Sequence, residues 1–242
     1  MVPAILIKNL TKRYSDTNVV DNISLSIKGG EFFGLLGPNG AGKTTMIGIL
    51  TGLVNKTDGK VQLFGKDVEK DYTEARSLIG LVPQEFNFDI FEKVYNLLYF
   101  NAGYFGIPKK DRRPRIKELL TALNLWEKRN VPMRTLSGGM KRKVMIARAL
   151  IHNPKILILD EPTAGVDVET RKMMWQYFKE INKQGTTIIL TTHYLEEAEF
   201  LCERVGIINK GIMVKLDTTQ NLLQFHGKDA KLEDVFIHLT TQ

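Results

Sequence analysis

The chain has 242 residues, 43% of them hydrophobic, one cysteine and a formal net charge of +7 at pH 7. That length and apolar share suffice for one large α/β domain or two small ones, and they exclude collagen-like, disordered and coiled-coil chains. Cys202 cannot close an internal disulfide, no apolar run approaches the roughly 18 residues of a membrane span, and Met1 to Leu10 lacks the pattern of a signal peptide. The expectation is a cytosolic chain with affinity for something anionic: phosphates, lipid headgroups or nucleic acid.

Ala4 to Leu10 alternates weakly and predicts a first strand, with Lys12 to Asp16 as a polar turn. Val19 to Ile27 holds a second strand, alternating at Ile23, Leu25 and Ile27. Lys28-Gly29-Gly30-Glu31 predicts a hairpin turn into a β-rich run, Phe32 to Leu36. The next stretch, Gly37 to Thr45, fits G-x-x-x-x-G-K-[ST], with Gly37, Gly42, Lys43 and Thr44 in the defining positions. A helical run from Thr44 to Leu53 completes the strand–loop–helix context that this motif requires. The residue types explain the chemistry. Gly37, Gly40 and Gly42 let the loop through Pro38, Asn39 and Ala41 curl without Cβ clashes, so successive N–H groups can point at phosphate oxygens. The helix start at Lys43, Thr44 and Thr45 adds partial positive charge. Lys43 can reach the β- and γ-phosphates, and the Thr44 hydroxyl can hold Mg²⁺.

Lys60 to Phe64 and Leu78 to Val82 predict two more strands, the second ending at Pro83-Gln84. Between Phe86 and Leu136 the β-branched residues thin out and helical periodicity appears. Phe91, Val94, Tyr95, Leu98 and Tyr99 share one face, and Ile116, Leu119, Leu120 and Leu123 another. Asp111 to Lys117 predicts a basic, solvated connection, and the whole region a helical insert in an α/β domain. Gly138 to Ile151 predicts a helix. Ile156 to Leu159 is a short buried strand ending in Asp160-Glu161, suited to a parallel sheet. Then come a helix at Val168 to Lys183, a strand at Thr186 to Leu190 and an acidic helix at Tyr194 to Cys202. Val205 to Asn209 and Ile212 to Leu216 form a hairpin across Lys210-Gly211, and the tail from Thr218 is mostly helical.

Asp160, at a strand end downstream of a phosphate loop, is the expected Mg²⁺ partner, directly or through a coordinated water. Glu161 beside it can polarise an attacking water. Leu136-Ser137-Gly138-Gly139 opens a helix with a good N-cap, Ser137, and two glycines, Gly138 and Gly139, that expose backbone N–H groups. A second anion site in a chain with one phosphate loop best serves a nucleotide held by another copy. That arrangement predicts a dimer with nucleotide at a two-fold interface.

At these residues the chain resembles the ATP-binding subunit of an ABC transporter. The phosphate loop, Gln84, Leu136 to Met140, Ile156 to Glu161, Ala164 to Asp167 and His193 stand in that family's order, from about Ile5 to Leu216. The resemblance implies an α/β P-loop NTPase fold: a RecA-like core with a parallel sheet, an N-terminal antiparallel β subdomain and a helical insert carrying the signature motif. It implies a core at about 1–84 and 152–216, a helical subdomain at 85–151 and a helical tail at 217–242. By the same resemblance, Tyr14 stacks on adenine, Gln84 senses Mg²⁺ and the attacking water, and Asp167 communicates across the dimer. His193 contacts the γ-phosphate and helps orient Glu161. Met140 stands where many relatives have glutamine, which leaves the glycine donors in place. Lys141 to Lys143 and the tail from Leu232 to Leu239 are similar to the exporter branch that includes daunorubicin-resistance and polysaccharide export ATPases.

The resulting expectation is an ATPase using ATP and Mg²⁺, on the cytoplasmic face of the inner or plasma membrane. It pairs with a second copy and drives a separate integral-membrane permease, without nucleic acid. A soluble ABC ATPase acting on ribosomes or nucleic acid is the alternative, and a small-molecule P-loop kinase a weaker one. Gln84 to Phe91 also places Phe86, Phe88 and Phe91 beside the implied γ-phosphate sensor. A cluster of that kind suits a binding role, with part of it serving as core, and the resemblance implies that the permease docks at this junction.

Overall fold

The computed structural model describes residues 2–226 and 231–241. Strands β1 (Ile5–Tyr14), β2 (Thr17–Ile27) and β3 (Phe32–Leu36) precede helix α1 (Lys43–Leu50). Then come β4 (Asp58–Leu63), the two-residue β5 (Lys66–Asp67), α2 (Tyr72–Ser77) and β6 (Ile79–Val82). A helical stretch follows, with α3 (Val94–Tyr104), α4 (Lys109–Ala122) and α5 (Gly138–Leu150). The chain returns through β7 (Ile156–Asp160), α6 (Val168–Lys183), β8 (Thr187–Thr191) and α7 (Leu195–Leu201). It closes with β9 (Arg204–Asn209), β10 (Ile212–Thr218), α8 (Thr219–His226) and α9 (Leu232–Thr240).

The strands form an antiparallel sheet, β2-β1-β4-β5, and a larger sheet, β10-β9-β3-β8-β7-β6, parallel except for β10. Every residue of β3 and β8 is buried, as a central parallel strand covered on both faces requires. The period of two along these strands divides the interior into two cores. Phe33, Leu35, Ile156, Ile158 and Ile189 face the antiparallel sheet and α1, joining Ile5, Ile7, Val61 and Met46. Phe32, Leu36, Leu157, Leu159, Ile188 and Leu190 face the helices, joining Leu98, Leu120, Met145 and Phe178. Each such side chain, fully buried, contributes about 1.5–3 kcal/mol before entropy is counted. The larger sheet with its helices is the P-loop NTPase architecture, and the smaller sheet is the N-terminal antiparallel subdomain.

Several local expectations are corrected. Lys28 to Glu31 turns the chain, with Glu31 N–H donating to Lys28 C=O at 3.3 Å, but it is no hairpin. β2 pairs with β1, while β3 pairs with β8 and β9. A strand buried on both faces, as β3 is, belongs in the central sheet, so the turn carries the chain from one sheet to the other. The turn expected over Lys12 to Asp16 is tighter. β1 runs to Tyr14, which pairs with Thr17. Asp111 to Lys117 is helix rather than connection, despite Pro114 within α4. Arg113 and Lys117 face water, while Arg112 and Arg115 lie half-buried beside Ile116 and Leu119 and donate to the carbonyls of Ile107 and of Leu150 and Ile151, so a charge run hid a helix. The β9–β10 turn stands as expected, with Lys210 and Gly211 both at positive φ, 48° and 80°.

One consequence of this topology matters most for chemistry. β3, β6, β7 and β8 run parallel, so their C-terminal ends share one edge of the sheet. That edge carries the phosphate loop, Gln84, Asp160-Glu161 and His193 from distant stretches of sequence.

Candidate active site

The phosphate loop is built to exclude side chains where the backbone must pass. A Cβ on Gly37 would lie 2.3 Å from the Ile208 carbonyl oxygen. Gly42 has φ +107°, and a Cβ there would lie 2.5 Å from the Val19 carbonyl oxygen. Lys43 is buried, and its Nζ donates to the Gly37 carbonyl at 2.5 Å and the Pro38 carbonyl at 3.0 Å. Burial pushes the ammonium's pKa down, and the nearby carboxylates of Glu161 and Asp160 act against that shift. The cation is therefore held inside the loop, facing the acidic strand ends. Val19, Asn39, Gly40, Ala41, Gly42, Lys43, Thr44, Thr45, Gln84, Asp160, Glu161 and His193 wall an open cavity of about 450 Å³.

Opposite the loop, the Thr191 hydroxyl donates to Asp160 Oδ1 at 2.5 Å, between partners already in register across β7 and β8. Glu161 follows at φ 50°, a conformation that costs a non-glycine residue. Its backbone N–H donates to the Thr191 carbonyl at 2.9 Å, which turns the carboxylate out of the strand line. Two groups then hold that carboxylate. His193 Nε2 lies 2.5 Å from Oε1, and Gln84 Nε2 donates to Oε2 at 3.1 Å. The Glu161 side chain is 12% exposed and that of His193 45%, so the carboxylate is shielded while its partner reaches the opening.

The residues suit a nucleoside phosphate and Mg²⁺. A backbone cradle that a Cβ would fill, a buried ammonium and a helix start match phosphate charge. Among the described residues, no cluster of three or more His, Cys, Asp or Glu could hold a metal by itself. That fits Mg²⁺, which binds through one or two carboxylates and keeps waters and phosphate oxygens in its shell. Thr44 and Asp160, both on the cavity wall, are the oxygen donors that could hold it.

Other expected residues lie away from this cavity. Tyr14 is exposed at the hairpin end of β1, with Lys12 Nζ 4.5 Å from its ring centroid. It is not on the cavity wall, although Val19 of the paired strand is. Ser137 caps α5, its Oγ accepting from Met140 N–H at 3.3 Å. Ser137 and Gly138 are exposed, and nothing lies within 4 Å of a Cβ placed on Gly138. This second helix start faces outward and does not join the phosphate loop of its own chain. Asp167 caps α6, accepting from Thr170 N–H at 2.8 Å, and hydrogen bonds from Thr170 keep its carboxyl below the usual range.

Sequence reasoning missed Arg142. The residue is 3% exposed, and its guanidinium donates to the carbonyls of Pro83 at 2.6 Å and Gln84 at 2.8 Å. It also sits 5.0 Å from the Phe86 ring centroid. Burial pulls its pKa down, opposed by Asp160 and Glu161. Arg142 thus ties the helix behind Ser137 to the Gln84 segment. The available signal was helical spacing: Arg142 shares a buried face with Met145, Ile146 and Ala149. Of the aromatic cluster, Phe86 and Phe91 are exposed, whereas Phe88 packs against the helical core. Nearby, Leu53, Pro83, Asn87, Tyr104, Arg148 and His152 help to line a groove of about 270 Å³ between the sheet and the helices.

Known proteins are similar to this chain in sequence and fold. The family described as "ABC transporter" matches residues 20–164. The chain is 39% identical over 226 residues to the linearmycin resistance ATP-binding protein LnrL of Bacillus subtilis, covering 93% of this chain and 73% of that protein. It is 42% identical over 209 residues to the Nod factor export ATP-binding protein I of Ralstonia nicotianae, covering 86% of this chain and 65% of that protein. The chain therefore spans only part of each relative's length. Among solved structures, an ATP-binding subunit of an ABC transporter superposes with a TM-score of 0.90 at 27% identity, over 99% of this chain and 100% of that one. An ATP-binding cassette in a dimeric post-hydrolysis state with ADP and Pi gives 0.82 at 30% identity, over 89% and 98%. On the strength of its strand-end site and of these similarities, the chain belongs to the ABC transporter family as an ATP-binding ATPase subunit homologous to exporter ATPases.

Proposed function

We propose that Glu161 is the general base of ATP hydrolysis, with His193 and Gln84 holding its carboxylate toward the attacking water. The observation that carries this reading is the double restraint on Glu161, from His193 at 2.5 Å and Gln84 at 3.1 Å, at the mouth of the phosphate cavity. Glu161 takes a proton from water as the water oxygen bonds to the γ-phosphorus, and the bond to the bridging oxygen breaks with its electrons leaving on ADP. Lys43 and the N–H groups from Gly40 to Thr45 meet the charge on the phosphates. Thr44 and Asp160 would hold Mg²⁺, with Gln84 beside them, and the ion supplies further neutralisation of phosphate charge. Tyr14 offers a ring for adenine. Ser137, Gly138 and Gly139 complete the site of a second copy, with Asp167 near that contact.

Cassettes of this family dimerise and work with membrane permeases. For this chain the proposal is a homodimer that closes on two ATP and drives export through a separate permease, at the cytoplasmic face of the membrane. No helix of the described residues is long and apolar enough to cross a membrane. In this reading the chain divides into a nucleotide core at 1–84 and 152–216, a coupling subdomain at 85–151 and a tail at 217–242. The groove beside Pro83 and Asn87, with exposed Phe86 and Phe91 close in sequence, is where the permease would dock. Relatives named for export favour this reading over action on ribosomes or nucleic acid.

Phosphate release by purified protein tests the chemistry, and co-purification with the permease tests the coupling. Phe86→Ala should leave ATP binding by the isolated subunit intact and weaken capture of the permease from detergent extracts. Capture at the parent level would remove Phe86 from the docking surface.

A further inference from the structure

The mechanism above makes no use of Glu197, a fully buried carboxyl on α7. Its Oε1 accepts from the Thr163 hydroxyl at 3.0 Å and from the Trp175 indole N–H at 2.7 Å. The Thr192 side chain also acts on this carboxyl, and Oε2 is buried without a hydrogen-bond partner. Indole N–H can only donate, so Oε1 is fixed as an acceptor. Burial pushes the carboxyl's pKa up, and the side chains of Thr192, Trp175 and Thr163 with the charge of Arg171 pull it back.

The positions of these partners in the chain give the contact its meaning. Thr163 lies two residues after Glu161, in the turn where Ala164 N–H donates to the Glu161 carbonyl at 3.3 Å. Thr192 immediately precedes His193, and its Oγ1 accepts from Tyr194 N–H at 3.0 Å, bracketing the histidine. Thr163 and Thr192 are both buried, so neither hydroxyl can exchange this arrangement for water without moving backbone. We propose that Glu197 is a positioning residue for hydrolysis: it fixes the segment after Glu161 against the segment around His193 and so keeps the Glu161–His193 contact in register. The proposal rests on the reading of Glu161 and His193 given above.

The test compares kcat for phosphate release with the ATP dissociation constant in Glu197→Ala, Glu197→Gln, Thr163→Val and Thr192→Val. Glu161→Gln and His193→Ala serve as controls. Glu197→Ala should lower kcat about tenfold or more while ATP affinity stays within about threefold. Glu197→Gln retains an acceptor for Thr163 and Trp175 and should recover most of the parent rate. In a His193→Ala background, Glu197→Ala should change the residual single-turnover rate by less than about twofold, because a residue acting through His193 has nothing left to position. Should Glu197→Ala fail to fold, Thr163→Val and Thr192→Val decide, and parent kcat in both overturns the proposal. Full and independent losses from Glu197→Ala and His193→Ala also overturn it. If both controls keep the parent rate, the site reading falls first and takes this proposal with it. If the controls lose turnover and the Glu197 variants do not, only this proposal falls.

Discussion

Two helix starts in this molecule carry glycine and capping chemistry suited to phosphate, and they differ in how far each is completed. At α1 the chain supplies everything around the loop. Ile208 and Val19 carbonyls crowd Gly37 and Gly42, Lys43 is buried between loop carbonyls and carboxylates, and Asp160, Glu161, Gln84 and His193 close the cavity. At α5, Ser137 caps the helix and Gly138 looks into open space. The first region is a whole site and the second half of one. On the proposed reading, a chain that finishes one phosphate site and leaves another bare on its surface lends the second to a copy of itself, and two-fold symmetry would provide both sites twice. Arg142 connects the regions, since its helix begins at Ser137 and its guanidinium holds the backbone at Pro83 and Gln84.

The largest expected effect strikes the completed site. Glu161→Gln keeps the shape but not the base, so turnover should fall by about 10²–10⁴-fold with ATP still bound, as read by phosphate release beside calorimetry. Parent-rate hydrolysis would remove Glu161 from the chemistry. Next, Lys43→Ala should weaken ATP binding by about 1.5–3 kcal/mol, roughly 10–150-fold in the dissociation constant by calorimetry. Unchanged affinity would mean that the loop does not bind the phosphates as described. The link between the regions gives the smallest effect. Arg142→Met leaves the carbonyls of Pro83 and Gln84 without their buried donors and should cost about 1–3 kcal/mol of stability in a denaturant titration. It should also uncouple hydrolysis from closure of the dimer. An unchanged midpoint would show that the clamp carries little load.

How much of this was legible in the sequence differs between the same two regions. The phosphate loop could be read residue by residue because its chemistry is local: Gly37, Gly42, Lys43 and Thr44 must stand at fixed spacing on one loop. Asp160 and Glu161 were visible as a charged end to an apolar strand. The contacts of Glu161 with His193 and Gln84 were not visible from spacing, because parallel strands bring together residues far apart in the chain. The resemblance supplied the His193 contact as an expectation, while for Gln84 it implied a role at Mg²⁺ and the attacking water rather than a bond to Glu161. Arg142 and Glu197 escaped notice because charged residues in helices usually face water, and only packing shows which ones do not. The basic run in α4 misled as well, since a dense run of charge looks like a solvated loop, whereas the backbone is regular helix and Arg112 and Arg115 tuck against backbone carbonyls. The sheet crossing at Lys28 to Glu31 was hidden by turn chemistry that serves a hairpin equally well.

The central claim is that Ser137 and its neighbours complete the nucleotide site of another copy. Light scattering on the Glu161→Gln protein, with and without ATP and Mg²⁺, tests it most directly when repeated with Ser137→Arg added. The account predicts that ATP converts the Glu161→Gln chain from monomer to dimer. Ser137→Arg should abolish that conversion while calorimetry still shows ATP bound to the monomer. An ATP-dependent dimer of undiminished stability in the Ser137→Arg variant would contradict the account, as would a Glu161→Gln chain that stays monomeric at saturating ATP.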